Sequence, residues 1–394
     1  MLIVAETHPV QYHAPIYRFL QQQLNIPVTA IYGSDFSIAG YFDQHFRTKF
    51  AWDSDLLSGY RQIFLSHAAN NQLSAADHVR AAGLKQTLHS LKPTALLLPG
   101  YSPSFYRSVI IRSRLAGIPI IFRAETTDRT IKRNLVKVFI RDVSLRLLYR
   151  SCFRLLYIGK YSREHFERLG CPSEKLIFSP YCIDAASFDC GEAHRDQLRS
   201  EFRASLGIHE AQKVILFSGK LYPRKQPQII LQALKQFSSR EREGTTVLFV
   251  GDGELRKELE VLAKTEPYLK AIFLGFQNQS QLSRCYHAAD LLVLPSLFET
   301  WGLVVNEALH HGLPCVVSSA VGCAPDLIEP GVTGEVFAAS SVPDLHGVFK
   351  RAFLLINSLS VRTQCRNKVS DYSVEKAANG IALAYKALSG KLAD

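Results

Sequence analysis

No stretch of the 394-residue sequence approaches the ~18 to 20 consecutive apolar residues that a bilayer crossing requires, so any membrane contact is expected to be peripheral. Residues 1–5 form a short apolar run that Glu6 ends, with no basic segment ahead of it. No secretory signal is expected, and the cytoplasm is the expected compartment. The eight cysteines (Cys152, Cys171, Cys182, Cys190, Cys285, Cys315, Cys323, Cys365) include no C-x-x-C pair and have no histidines at zinc spacing. They are expected to be reduced and mostly buried. Acidic residues are in short supply, 35 against 46 basic ones for a net +11. The shortfall is local: residues 101–154 hold twelve Lys and Arg against Glu125, Asp128 and Asp142, a net +9. One basic block points to a local surface for anionic lipid, a phosphorylated ligand or an acidic partner. A chain-wide excess, which would favour nucleic acid, is not what the sequence has.

What is present is the composition of a globular protein, 47% hydrophobic and 21% charged. At about 150 residues per domain the length suggests two or three domains. Short apolar runs that stop at Gly, Pro or Ser read as strands at 2–5, 28–32, 95–98, 118–122 and 155–158. A second series follows at 214–217, 247–250, 272–274, 291–294 and 315–317, with helical periodicity between, as at 227–237 and 254–263. Such alternation is the pattern of βαβ units on a parallel sheet, here twice over. The polar, charged stretch 182–206 lies between the series and is read as the domain boundary. Two doubly wound domains joined there are expected to face a cleft, with ligands outside the carboxyl ends of the strands.

The residues after each strand therefore carry the search for chemistry. Pro295-Ser-Leu-Phe-Glu299-Thr300-Trp301-Gly302-Leu303-Val304-Val-Asn-Glu307 follows the strand at 291–294. Gly302 allows a tight turn into a helix reaching about His311, whose first amides, near Gly302 to Val304, would make an anion site. Glu299 precedes that helix and Glu307 lies within it; the plainer reading is a capping acid and a surface helix acid. Ser218-Gly219-Lys220-Leu-Tyr-Pro-Arg224-Lys225 follows another strand. Its lysines could converge on a diphosphate, or form an ordinary solvated basic turn. Gly251-Asp-Gly253 and Gly275-Phe276 add two more glycine turns at strand ends.

Together these segments resemble family 4 of the retaining glycosyltransferases, the glycosyl transferases group 1, whose fold is GT-B. Val250-Gly-Asp-Gly-Glu-Leu-Arg256, Phe273-Leu-Gly-Phe276, Gly312-Leu-Pro-Cys-Val-Val317 and Gly331-Val-Thr-Gly334 appear in the family's order. His8-Pro-Val-Gln11-Tyr-His13-Ala-Pro15 and Trp52-Asp53-Ser-Asp55-Leu-Leu-Ser-Gly-Tyr60 resemble one branch of it. The resemblance implies α/β architecture with two Rossmann-like domains: an acceptor domain over 1–190, a nucleotide-sugar domain over 191–373, and a last helix over 374–394 that returns to the first. It implies that Glu299 meets the donor sugar hydroxyls and Glu307 the ribose. Gly219, Gly251, Gly253 and the backbone of Thr300 to Val304 would line the donor, Lys220 and Lys225 would neutralise the diphosphate, and Gly275 and Phe276 would meet the base. Lys220 stands where the family more often has arginine, keeping the charge without the fork. Arg123 and Glu125 stand at a strand end where many relatives place a histidine, and are expected at the reaction centre or, alternatively, in a buried ion pair. His8, Gln11 and His13 replace a usual glycine pair; one of them, His13 among the catalytic candidates, is expected near sugar or acceptor, unless they serve to cap the helix at Pro15.

The resemblance implies no metal and no resident cofactor, the nucleotide-diphosphate sugar being a co-substrate, and Asp53 and Asp55 are not read as a metal motif. It implies front-side attack with retention on an acceptor that is a saccharide, a lipid-linked or a small molecule. A nucleotide-sugar 2-epimerase of the same fold and a non-catalytic nucleotide- or membrane-binding scaffold are the alternatives. In the basic block, Arg133, Lys137, Arg141 and Arg146, Arg150, Arg154 run at i, i+4 spacing. At ~100° per residue the two triplets point different ways in an unbroken helix. A single stripe on an anionic membrane therefore requires a break near 142–144, with Ser144 capping a second helix; otherwise these are solvated faces.

Overall fold

The computed structural model describes residues 1–43, 48–50, 55–67, 76–129 and 134–389; Trp52, Asp53, Lys132 and Arg133 lie outside them. The chain folds as two compact units. The first holds Met1–Phe42, Lys49–Cys182 and the residues from Tyr372 on; the second holds Ile183–Asp371.

In the first unit the strands are β1 (Leu2–Glu6), β2 (Val28–Tyr32), β5 (Arg61–Phe64), β6 (Ala95–Leu98), β7 (Ile120–Arg123), β8 (Arg154–Tyr157) and β9 (Leu176–Phe178), while β3 (Tyr41–Asp43) and β4 (Thr48–Phe50) make a separate two-stranded piece. The seven-stranded sheet has the order β5-β2-β1-β6-β7-β8-β9 and is parallel throughout. β1 and β2 are apolar at nearly every position because both faces are covered by helices. The helix Val374–Ser389 lies against the helix Ala14–Gln22 and buries Ala377, Ala378, Ile381 and Ala384. Small residues permit this approach: a Cβ on Gly380 would sit 2.1 Å from the Phe178 carbonyl oxygen.

The second unit has β10 (Lys213–Ser218), β11 (Thr245–Val250), β12 (Lys270–Gly275), β13 (Leu291–Leu294), β14 (Cys315–Ser318) and β15 (Gly334–Phe337). They form a parallel sheet in the order β12-β11-β10-β13-β14-β15. Each sheet thus reverses direction at its first strand, between β1 and β6 and between β10 and β13, and the carboxyl ends at such a reversal form the crevice where α/β sheets take ligands.

The units divide at Cys182 and Ile183, and Arg195–Ser205, within the stretch 182–206, is a helix of the second unit. Its Arg199 and Arg203 are buried on Asp290 at 2.7 and 2.8 Å, and Asp290 also accepts the Val214 amide at 2.8 Å, so two of the segment's charges are spent inside. The basic block, in turn, contains one unbroken helix, Leu135–Ser151, in which Ser144 bonds back to the Ile140 carbonyl instead of capping a second helix. Arg154 lies in β8. Arg141 is not on a free face, being paired with Asp128 and Asp142, which Arg168 also joins. The contacts from His165, Arg168 and Arg141 outweigh partial burial and hold the Asp128 carboxyl well below the usual carboxylate range. The eight cysteines carry no disulfide and six are buried. Among the described residues no helix is long and apolar enough to cross a membrane.

Candidate functional site

In the second unit the site is built from backbone brought very close to backbone. Gly219 leaves β10 at φ +146°, and Gly251 and Gly253 leave β11 at φ +125° and +156°. The two segments are stitched by Gly219 N to Val250 O (2.9 Å) and Leu221 N to Asp252 O (2.9 Å). A Cβ at Gly251 would stand 1.9 Å from Gly219 O, and one at Gly253 2.4 Å from Leu221 O, so only glycine allows the two strand ends to touch. Asp252 is held by Arg256 at 2.7 Å, and Gly275, at the end of β12, accepts the Gly251 amide at 2.8 Å. Phe276 follows, half-buried.

The loop after β13 is fixed on two sides. Leu297 N donates to Arg224 O at 2.8 Å, and the Arg224 guanidinium lies over the Phe298 ring at 5.4 Å, which ties the loop to the short helical turn Pro223–Lys225. On the other side Gly322 N donates to Glu299 O (3.0 Å) and Cys323 N to Trp301 O (2.9 Å). A Cβ on Gly322 would lie 1.9 Å from Thr300 O. Between these supports Lys225 Nζ pairs with Glu299 Oε2, the two side chains being 14% and 15% exposed, so the pair is sheltered yet reachable. Lys220, half-exposed, follows Gly219 at the end of β10.

Gly302 then turns at φ +103° into the helix Leu303–His310. Leu303 and Val304 in its first turn are half-exposed, whereas Val305 to Leu309 are buried. Trp301 is buried and its indole N–H donates to Asn306 Oδ1 at 2.8 Å, pinning the turn from below. The amides that open this helix thus stand at the carboxyl ends of β10 and β13, beside the Lys225–Glu299 pair, where the positive end of the helix dipole adds to the lysine charge. Glu307, one turn further in, is 3% exposed and accepts the hydroxyl of the buried Tyr286. Tyr286 stacks on His311 at 4.8 Å, and burial lowers the His311 pKa to about 3, leaving a neutral ring that bridges Glu307 O and Ser283 Oγ. Sequence reading missed Tyr286 and Gly322. Tyr286 sits in a helix 21 residues before its partner with no local signal, while Gly322, four residues after the strand β14, was legible as one more glycine at a strand end.

The first unit assembles its strand ends from side chains. Glu6, the last residue of β1, is 1% exposed; its Oε1 is 2.6 Å from His13 Nδ1 and accepts the Tyr17 hydroxyl at 2.5 Å. Glu6 Oε2, Gln11 Oε1 and His13 Nε2 are buried without a hydrogen-bond partner. His13 opens the helix Ala14–Gln22 but makes no side-chain cap, so the capping alternative does not describe it. Burial lowers the pKa of His8 to about 4. Arg123 is 5% exposed and donates to Ser179 Oγ (2.9 Å), Ser179 O (3.2 Å) and Pro180 O (2.6 Å). It meets Tyr181 through its ring face, and Glu125 is hydrogen-bonded to the Tyr181 side chain, so both converge on that tyrosine. Glu6 went unread because a carboxylate closing an apolar strand looks like its solvent-facing end.

Residues 199–365 match the family model of the glycosyl transferases group 1. The chain is 31% identical over 187 residues to an uncharacterized glycosyltransferase of Methanocaldococcus jannaschii, covering 47% of each. It is 34% identical over 152 residues to the D-inositol 3-phosphate glycosyltransferase of Mycolicibacterium smegmatis (37% of this chain, 34% of the other). It is 29% identical over 222 residues, 54% of each, to the UDP-Gal:alpha-D-GlcNAc-diphosphoundecaprenol alpha-1,3-galactosyltransferase of Escherichia coli. The chain therefore spans about a third to a half of the length of these curated relatives. Among solved structures, HepE of Anabaena in complex with UDP superposes with a TM-score of 0.72 at 18% identity over 98% of this chain and 99% of that one. Sucrose-phosphate synthase of Thermosynechococcus elongatus does so at 0.73 and 15%, over 99% and 100%. Two parallel Rossmann-like units with these neighbours make the fold GT-B, and within it the stretch 199–365 is similar to the glycosyl transferases group 1.

Proposed function

We propose that the protein is a retaining, metal-independent glycosyltransferase that moves a sugar from a UDP- or GDP-linked donor to a hydroxyl of a saccharide, lipid-linked or small-molecule acceptor. The observation that carries the reading is the Lys225–Glu299 pair beside the open first turn of Leu303–His310. It sets a cation and helix amides for a diphosphate next to a carboxylate able to accept from sugar hydroxyls. Glu307, oriented by Tyr286, serves the ribose, and the backbone of Gly275 and Phe276 the base. The E. coli relative and the HepE complex both name a uridine nucleotide, which makes the UDP series the first to test.

In this reading the bond from the anomeric carbon to the diphosphate breaks while Lys220, Lys225 and the helix amides stabilise the departing charge. The acceptor oxygen forms its bond on the same face, and its proton passes to a departing phosphate oxygen. The basic segment 107–154 supports a second part of the reading, peripheral contact with an anionic membrane from the cytoplasmic side.

A thermal-shift panel with UDP, GDP, ADP and their sugar conjugates tests the site without an acceptor. Saturation at about 100 times Kd adds about 2.7 kcal/mol of stability. The expected result is a raised Tm with one nucleotide series that Glu307→Ala removes; no shift with any series overturns the donor site and favours a scaffold. Donor turnover to a single sugar nucleotide product without acceptor would identify a 2-epimerase instead.

A further inference from the structure

The helix Leu135–Ser151 is turned inside out for a water-facing surface. Its inward side buries only Asp142, Leu145 and Tyr149. Its outward side carries Leu135, Val136, Phe139, Ile140 and Leu147, each 60–86% exposed. Val136, Ile140, Val143 and Leu147 repeat at i, i+4, i+7 and i+11, one stripe at ~100° per residue, with Phe139 alongside. The neighbouring helix Ser104–Leu115 extends the patch with Ile111 and Leu115, 59% and 84% exposed, and a groove between the two helices is lined by Arg107, Ile111, Arg114 and Leu147. An apolar face of this extent on two adjacent helices is a docking surface.

Charge selects the occupant. Lys137 lies on one side of the stripe and Arg146 and Arg150 on the other, and Arg107 and Arg114 project from the second helix, all five exposed. The sole acidic residue of either helix is Asp142, which is buried and paired with Arg168. A two-fold dimer through this patch would set these cations against their own copies. An anionic bilayer instead accepts the apolar stripe between its acyl chains and the cations at its headgroups.

We propose that this face inserts into the interfacial layer of an anionic membrane, with Val136, Phe139, Ile140 and Leu147 entering the acyl boundary and Lys137, Arg146 and Arg150 at the phosphates. The proposal rests on the peripheral-membrane part of the reading above and narrows it from charge attraction to insertion; it needs no transfer activity.

The test is flotation of the full chain with phosphatidylcholine vesicles, with and without 30% phosphatidylglycerol, at about 0.05 and about 0.5 M salt, where screening separates the two contributions. The expected result is binding to anionic vesicles that persists in part at high salt. Phe139→Glu with Ile140→Glu, both at exposed sites, should weaken it at least tenfold with an unchanged Tm, and Arg146→Glu with Arg150→Glu should remove the anionic preference. Full flotation of the Phe139/Ile140 variant, with loss only in the arginine variant, overturns insertion while leaving charge-driven contact standing. No flotation of the parent chain on anionic vesicles at low salt overturns both. A dimer of the parent chain that the Phe139/Ile140 variant dissociates, without flotation, assigns the face to a second copy and overturns the proposal.

Discussion

The two units share one strand order and fill the carboxyl ends of their central strands by opposite means. In the second unit, β10 and β11 are followed by glycines whose missing side chains let main chain touch main chain, leaving amides, Lys225 and Glu299 at the surface. In the first, β1 ends in a buried carboxylate surrounded by His13 and Tyr17, with Arg123 tied down at the end of β7. A site made of backbone suits a ligand with a constant phosphate group, because peptide amides present the same donors whatever side chains surround them. A site made of side chains suits a ligand that differs from one enzyme to the next. Under the proposed function, specificity is written at the donor end by glycine placement and at the acceptor end by residue identity.

The largest effect should come from breaking the backbone contact. Gly251→Ala and Gly322→Ala each drive a Cβ to within 1.9 Å of a carbonyl oxygen. Each is expected to lose about 3–5 kcal/mol in urea unfolding and to abolish nucleotide binding. Gly100→Ala in the first unit, where the nearest atom is 3.6 Å away, should change stability by less than about 0.5 kcal/mol. An equal loss at Gly100 would erase the contrast.

Next come the charged groups. Glu299→Ala and Lys225→Ala are expected to reduce transfer about a hundredfold or more while the fold stays intact by circular dichroism. Glu6→Gln removes the carboxylate that orients His13 and should lower turnover about tenfold or more. Nucleotide affinity by calorimetry should be unchanged in Glu6→Gln, and a fall there would show that the first unit also sets donor binding.

The smallest effect is in acid. Burial lowers the pKa of His311 to about 3 and of His310 to about 4, so between pH 6.5 and those values the unfolded chain takes up protons that the folded second unit refuses. Their contribution is complete above pH 6.5 and is lost as the pH falls, for His311 at up to about 1.4 kcal/mol per pH unit. In the first unit burial lowers the pKa of His8 to about 4, whereas the Asp128 cluster yields only below the ordinary carboxylate range. Peptide-resolved hydrogen exchange from pH 7 to 4.5 should show the second unit loosening first, and His311→Gln should flatten its slope by about one proton.

The linear sequence by itself determined the βαβ alternation, ten of the strands and the donor-end motifs, because apolar period, strand-ending glycines and the Glu299 to Glu307 spacing are all local signals. It did not show β5 or β15, which are short and hold mixed residues, Arg61 and Gln62 in β5 and Glu335 in β15, nor the three-residue strands β3, β4 and β9. Only the tertiary structure decided that Arg195–Ser205 is a packed helix, since Arg199 and Arg203 find Asp290 some ninety residues away. The same holds for Tyr286 on Glu307, Glu6 beneath His13, and the outward apolar face of Leu135–Ser151. Composition counts a residue as charged or apolar, but whether it is paired, buried or exposed depends on chain segments that meet only in three dimensions, and that is where the energy of a buried carboxylate or an uncovered leucine is set.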